Sequence, residues 1–157
     1  MIAYLSGAME FANDEGAGWR SDITKWLDVQ LNHSVYNPVL ESQSLVEKYN
    51  AKNYRKWKIP QPQKYANFIR HCVNQDIDSV RNKVDYIICL WDENVLKGAG
   101  THAEVTLGYE CQKQVYLINK LPEAELSGWI MACSSKIFSD FEQLKNYLLE
   151  QYLRDSI

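Results

Sequence analysis

The chain reads as an α/β domain, a five-stranded parallel sheet with helices on both faces. Three observations predict this. Short apolar runs alternate with longer amphipathic stretches from one end of the sequence to the other. The runs end at glycine or proline, as at Gly7 and Pro38, or lead into a glycine-bearing loop, as at Gly98. No internal repeat or low-complexity segment breaks the alternation.

The elements follow in order. Ile2 to Ser6 is an apolar strand ending at Gly7. Gly16-Ala17-Gly18 precedes a helix with Trp19, Ile23, Trp26, Leu27 and Val29 to Leu31 roughly on one face. Ser34 to Asn37 is a second strand, stopped by Pro38. Residues 39–60 are polar and read as a long irregular insertion. Pro60 and Pro62 open a helix to about Lys83, with Tyr65, Ile69, Val73, Ile77 and Val80 as its buried stripe. Val84 to Trp91 is the central strand, and Thr101 to Lys113 a helix carrying Glu104 in its first turn. Val115 to Ile118 is the fourth strand, Glu123 to Met131 a short helix, and Lys136 to Phe138 the fifth strand. The last helix starts at Ser139, with Glu142 three residues on as a capping box. Its apolar face is Phe141, Leu144, Tyr147, Leu148 and Tyr152. The whole corresponds to a single-domain, flavodoxin/Rossmann-like arrangement.

Bulk properties narrow the function. At 157 residues the chain is one domain able to bury its own core. A net charge of −3 without a long basic run argues against nucleic-acid binding through phosphate neutralisation and favours small-molecule chemistry. Cys72, Cys89, Cys111 and Cys133 are scattered, without the spacing of a zinc site, and read as apolar residues of a reduced compartment. No apolar run is long enough to span a membrane, and Met1 to Leu5 is too short for a secretion signal, so a cytoplasmic protein is expected. Ten tyrosines and five tryptophans suit either a pocket that stacks a flat ring or an aromatic core and subunit interface.

The segment from Cys89 to Glu104 is the most informative. A strand runs into the loop of Gly98 and Gly100, and the following helix brings a carboxylate to the strand C-termini, where open α/β sheets bind ligands. There Glu104 is a candidate nucleophile or electrostatic stabiliser, kept ionised by the helix dipole; the plain alternative is a helix-start glutamate serving the dipole alone. Asp76 lies beside the apolar stripe of its helix. Counted back from Asp85, it stands roughly 13 Å up that helix, which puts it level with Glu104 unless it turns to solvent beside Asp78. Gly7, Ala8 and Met9, followed by Gly16, Gly18 and Arg20, form a first loop whose free N–H groups suit an anion, although neither a dinucleotide nor a Walker fingerprint is present. Tyr4 at the strand end reads as a phenol over the crevice or as core, and His102 as a substrate contact or an exposed helix-start residue.

YLSGAM at the start, NQDIDSV with the following DYIICL, and GTHAEVTLGYECQKQVYLI together resemble the nucleoside 2-deoxyribosyltransferase family, which includes nucleoside 5′-monophosphate N-glycosidases. The Gly-Thr-x-x-Glu-x-x-x-Gly-Tyr pattern is the most specific part. The resemblance implies one such domain over residues 1–157, acting on a nucleoside or nucleotide and a free nucleobase, with no metal and no cofactor. By position it implies that Glu104 attacks C1′ of the sugar, that Asp76 is the acid at the base, and that Tyr4 orients the nucleophile. Substrate contacts are implied for Gly7, Ala8, Met9, Gln43, Gly98, Gly100 and Ser127. Leu126-Ser127-Gly128-Trp129 matches the segment with which a neighbouring subunit completes the site, so a homo-oligomer with shared active sites is implied. One departure stands out. Six positions before Glu104, transferases of the family carry aspartate and the monophosphate hydrolases serine; this chain has Gly98. Ser127 falls where the hydrolases place a phosphate-binding serine, and Arg20 or Lys97 could add charge. Three functions therefore stand: transfer between bases, hydrolysis of a nucleoside monophosphate, and non-catalytic nucleotide binding on the same scaffold.

Overall fold

The computed structural model describes residues 1–153; residues 154–157, the end of the expected domain, lie outside the described residues. Five parallel strands form one sheet: β1 (Ile2–Gly7), β2 (Ser34–Tyr36), β3 (Tyr86–Trp91), β4 (Gln114–Asn119) and β5 (Lys136–Phe138). Their order, β2-β1-β3-β4-β5, is the flavodoxin-like doubly wound order. Among the described residues the α-helices are α1 (Ala17–Leu31), α2 (Pro38–Lys48), α3 (Pro62–Asn82), α4 (Gly100–Glu110), α5 (Gly128–Cys133) and α6 (Phe141–Leu153).

Strand alternation divides the core in two. Ala3, Leu5, Tyr86, Ile88, Tyr116 and Ile118 face α1 and α6, packing against Ile23, Leu27, Leu144 and Leu148. Tyr4, Ile87, Cys89, Val115 and Leu117 face the opposite way, against Val80, Val105 and Ile130 of α3, α4 and α5. The central strands are buried on both sides, as parallel sheets require. Among the described residues, no helix is long and apolar enough to cross a membrane.

Four local expectations change. Residues 39–60 are largely ordered: α2 spans 38–48 and a short 3₁₀ turn runs Tyr54–Trp57. Pro38 does end a strand, but it also occupies the first turn of α2, where its missing N–H costs nothing, and Asn37 caps that helix by accepting from Val39 N at 3.1 Å. The stripe of α3 is rotated: Phe68, Ser79 and Val80 are buried, while Val73 is 45% exposed. The N-terminal half of α3 packs on α2 and the 3₁₀ turn through Phe68, Leu45, Ala51, Tyr54 and Trp57, not on the sheet. The expected helix over 123–131 is a 3₁₀ turn at Glu123–Glu125 followed, after extended Leu126 and Ser127, by α5. Finally, α6 is capped by Asp140, which accepts from Gln143 N at 2.8 Å, while the Gln143 side chain accepts from Ser139 N. The box is thus shifted one residue from Ser139 and Glu142, the carboxylate being the stronger acceptor at a positive helix end.

Candidate active site

Parallel register sets the side chains around Glu104. Tyr4 and Ser6 are two apart on β1 and so point to the same side of the sheet, toward α4. Ser6 pairs with Cys89 of β3, next to the point where chain connections diverge to opposite faces, the crevice of a doubly wound sheet. Helix α4 lies close over these strands because Gly108 carries no side chain; a Cβ there would collide with Ile87 and crowd Val115. Glu104 is consequently brought to β1, where the Tyr4 hydroxyl donates to Oε1 at 2.9 Å and the Ser6 hydroxyl to Oε2 at 2.5 Å. Both carboxylate oxygens are held by buried donors.

Because α4 begins at Gly100, Glu104 sits beyond the first turn, deeper than the sequence suggested. The dipole is weaker there, and burial raises the carboxyl pKa. The Ser6 and Tyr4 hydrogen bonds and the positive charge of Arg20 pull the other way. Hydroxyl donors and a nearby cation, not the dipole, are what favour the anion.

Asp76 reaches the same place from α3. The Tyr36 hydroxyl donates to its Oδ1 at 3.2 Å, and Tyr36 stacks on Tyr4. Burial, then the negative charge of Glu104, pushes Asp76 up to about 7, against the Tyr36 hydrogen bond. Two carboxyls share one low-dielectric site, and hydrogen-bond donors to each work against the cost of burying charge there.

Both line a cavity of about 800 Å³, within the range of small-molecule sites, between α3, α4 and α5. Its walls are mostly apolar, with Val73, Ile77 and Val80 on one side and Leu107, Trp129 and Ile130 on the other. Gly100 and Ser127 also line it. So does His102, whose ring meets Trp91 edge-on at 4.7 Å and whose Nδ1 is buried without a protein partner.

Other expected contacts lie elsewhere. Gln43 is exposed on α2 and is not among the residues lining this cavity. Gly98 is extended and faces the Phe11 ring, which a Cβ would meet at 3.6 Å. Gly7, Ala8 and Met9 carry the chain away from β1 just beyond Ser6, with Ala8 packed on the core. The anion cradle expected at the start of α1 is already filled from within: the Asp14 carboxylate accepts from Gly16 N and Gly18 N, each at 2.9 Å. Arg20, expected to add charge toward a ligand, is wholly buried and donates to backbone carbonyls instead. Lys97 donates to Asn94 Oδ1 at 3.2 Å. Ser6 was missed in the sequence, although its two-residue spacing from Tyr4 places it on the same side. Glu41, whose charge also acts on Asp76, was missed because α2 was not foreseen. Among the described residues, no group of three or more His, Cys, Asp or Glu side chains is arranged to hold a metal ion.

No family model matches the chain, and no curated protein matches it by sequence. Among solved structures it is similar to a 2-deoxyribosyltransferase from the psychrotolerant bacterium Bacillus psychrosaccharolyticus, with a TM-score of 0.57 and 18% identity over 94% of this chain and 92% of that one. At that identity the likeness establishes a shared α/β fold running through nearly the whole length of both proteins.

Proposed function

We propose that the protein cleaves the N-glycosidic bond of a nucleoside and transfers the glycosyl group to a second base, with Glu104 as nucleophile. One observation carries the reading: two carboxyls from separate helices face one cavity in different surroundings, Glu104 held at both oxygens by hydroxyl donors and Asp76 pushed up to about 7. Such a pair suits a nucleophile and an acid working on one substrate. The overall likeness to a 2-deoxyribosyltransferase supports the same reading.

In the first half-reaction, a Glu104 oxygen attacks C1′ as the C1′–N bond breaks. The bonding pair passes to the base nitrogen, and Asp76 supplies the proton that the departing base needs. A glycosyl ester of Glu104 and a free base result. In the second half, the nitrogen of an incoming base attacks C1′, the ester bond breaks, and the proton returns to Asp76. Tyr4 holds the attacking carboxylate in place. Cover of the cavity's open side, when the substrate and a second copy fill it, would keep water from competing with the incoming base. The mostly apolar cavity walls suit the flat face of a base.

A nucleoside is favoured over a 5′-monophosphate because the N–H groups at the start of α1 are taken by Asp14 and the nearby guanidinium by carbonyls. Ser127 and Arg81 on the cavity wall are the observation that favours the monophosphate hydrolase as a second reading. The apolar, open side of the cavity, with Trp129 67% exposed, suits cover by a second copy of the chain, and we place the protein as a homo-oligomer whose copies close each other's sites.

The test is incubation with a deoxynucleoside and a different free base, in parallel with the matching 5′-monophosphate alone. Exchange of bases supports the transferase. Sugar phosphate formed without an acceptor supports the hydrolase. Ligand binding with no base release under any pairing overturns both and leaves a non-catalytic binding module.

A further inference from the structure

We propose that Arg20 is a positioning residue, which wraps the loop between β1 and α1 around its guanidinium and presents a buried positive charge to Glu104. Its mechanistic consequence rests on the nucleophile role of Glu104; its structural part does not.

Arg20 has no exposed surface, and four of its donor bonds go to main-chain carbonyls. Nε donates to Leu5 O at 3.2 Å and one terminal nitrogen to Gly7 O at 2.9 Å. The other terminal nitrogen donates to Glu15 O at 3.0 Å and Gly16 O at 3.1 Å. The two ends of the loop are thereby tied to one planar group, which only arginine supplies. Gly16 is fitted to this arrangement. Its φ of 73° is left-handed, and a Cβ there would collide with the guanidinium. The glycines that suggested a ligand cradle therefore make room for an internal cation.

The partners at Arg20 are neutral, and a buried cation without a counter-ion is costly. Glu104 is the anion that acts on it most strongly. The link runs through β1: the carbonyls of Leu5 and Gly7 accept from Arg20, while the side chains of Tyr4 and Ser6 donate to Glu104. Strand alternation thus makes β1 the partition between a cation and a carboxylate. The groups acting on or facing Glu104 are Tyr4 and Ser6 from β1, Cys89 from β3, Asp76 from α3 and Arg20 from α1. Of these, Arg20 is the permanent cation.

The full chain, as Arg20→Gln and Arg20→Lys, tests this by carbon-detected NMR titration of the Glu104 carboxyl and by amide exchange over residues 8–16. The glutamine variant is expected to raise the Glu104 midpoint by about one pH unit. The lysine variant, which keeps the charge but not the fork, should hold the midpoint within about half a unit yet loosen the loop. Base release should then fall more at pH 6 than at pH 8 in the glutamine variant. An unchanged midpoint in that variant, even with a lower melting temperature, overturns the electrostatic role. Should the glutamine variant fail to fold, the lysine variant decides, and wild-type exchange over residues 8–16 would overturn the proposal. Neither NMR readout needs turnover. If the wild-type protein releases no base, the glycosyl-transfer reading fails while the titration still judges Arg20.

Discussion

The rings of Tyr4 and Tyr36 lie stacked, their centroids 5.1 Å apart and their planes 12° from parallel, and each phenol serves a different carboxyl. Tyr4 donates to Glu104 and Tyr36 to Asp76. Neighbouring strands in register make this pairing: Tyr4 and Tyr36 are directly opposed on β1 and β2. Two substitutions separate the roles. Tyr4→Phe removes a donor from an anion, worth about 1.5–3 kcal/mol, so base release should slow roughly tenfold to a hundredfold with little change in KM. Tyr36→Phe removes a donor that lowers the Asp76 pKa, so the alkaline limb of the rate profile should move above pH 7. Steady-state rates across pH check both. An alkaline limb moving downward in Tyr36→Phe would contradict the assignment.

Glu104→Gln keeps the shape of the side chain and one accepting oxygen, turns the other into a donor, and removes the nucleophilic oxygen anion. Base release is expected to fall by at least about a thousandfold, while the melting temperature holds or rises because a buried charge is lost. Turnover assays beside thermal unfolding check this. Activity within about tenfold of wild type would exclude a covalent role.

Asp76 trades stability for its proton. Its folded pKa of about 7 lies above the unfolded value of 3.8, so the folded state binds the proton more tightly. The stabilising contribution is complete below pH 3.8 and is lost as pH rises through 7. A shift of about three units corresponds to about 4 kcal/mol at most, and since part belongs to the pair with Glu104, roughly 2 kcal/mol is expected. Asp76→Asn mimics the protonated form. It should stabilise the protein at pH 8 and hardly at pH 4, while lowering base release at every pH, since an amide supplies no proton, and leaving what remains without the alkaline limb. Equal stabilisation at both pH values would contradict this.

The parts legible in the sequence are those set by local pattern. The five strands and the long helices were readable because apolar runs and turn residues mark them directly. The α2 helix was hidden because Pro38 serves two purposes, ending β2 and opening a helix whose only buried residues are Pro38, Val39 and Leu45. The stripe of α3 was misassigned because periodicity shows that a helix has an apolar side, not which neighbour it meets; Val73 and Ile77 turn to the cavity. The same limit governs the site. Glu104 stood out in the helix that follows the central strand and Asp76 beside the apolar stripe of its helix, whereas the partners of Asp14 and Arg20 depend on how one loop folds back on itself. Free N–H groups and a free cation look alike in sequence with N–H groups and a cation already satisfied.

Gly108 is a structural counterpart of the catalytic proposal. Adding one methyl group there should push α4 off the sheet at Ile87 and Val115, and overpacking of this kind costs about 1–3 kcal/mol. Because Glu104 is one turn away on the same helix, Gly108→Ala should also lengthen its bonds to Tyr4 and Ser6 and slow base release beyond the effect on stability. Denaturant unfolding and turnover, measured on the same preparation, check the two together.

Trp129 offers the test of assembly. It is 67% exposed, donates from its indole nitrogen to Thr106 at 3.0 Å, and stands on the cavity wall near Ser127. Val73, 45% exposed, adds apolar surface at the same cavity. A monomer leaves this surface in water, and a second copy would cover it. Trp129→Asp places a charge there without touching Glu104 or Asp76. It should shift the protein toward monomer in sedimentation velocity and reduce base release in parallel. Mixing it with Glu104→Gln separates shared from independent sites: if one copy completes the site of the other, the mixture regains activity that neither variant has alone. A monodisperse monomer in the wild type would instead leave each chain with a complete site of its own.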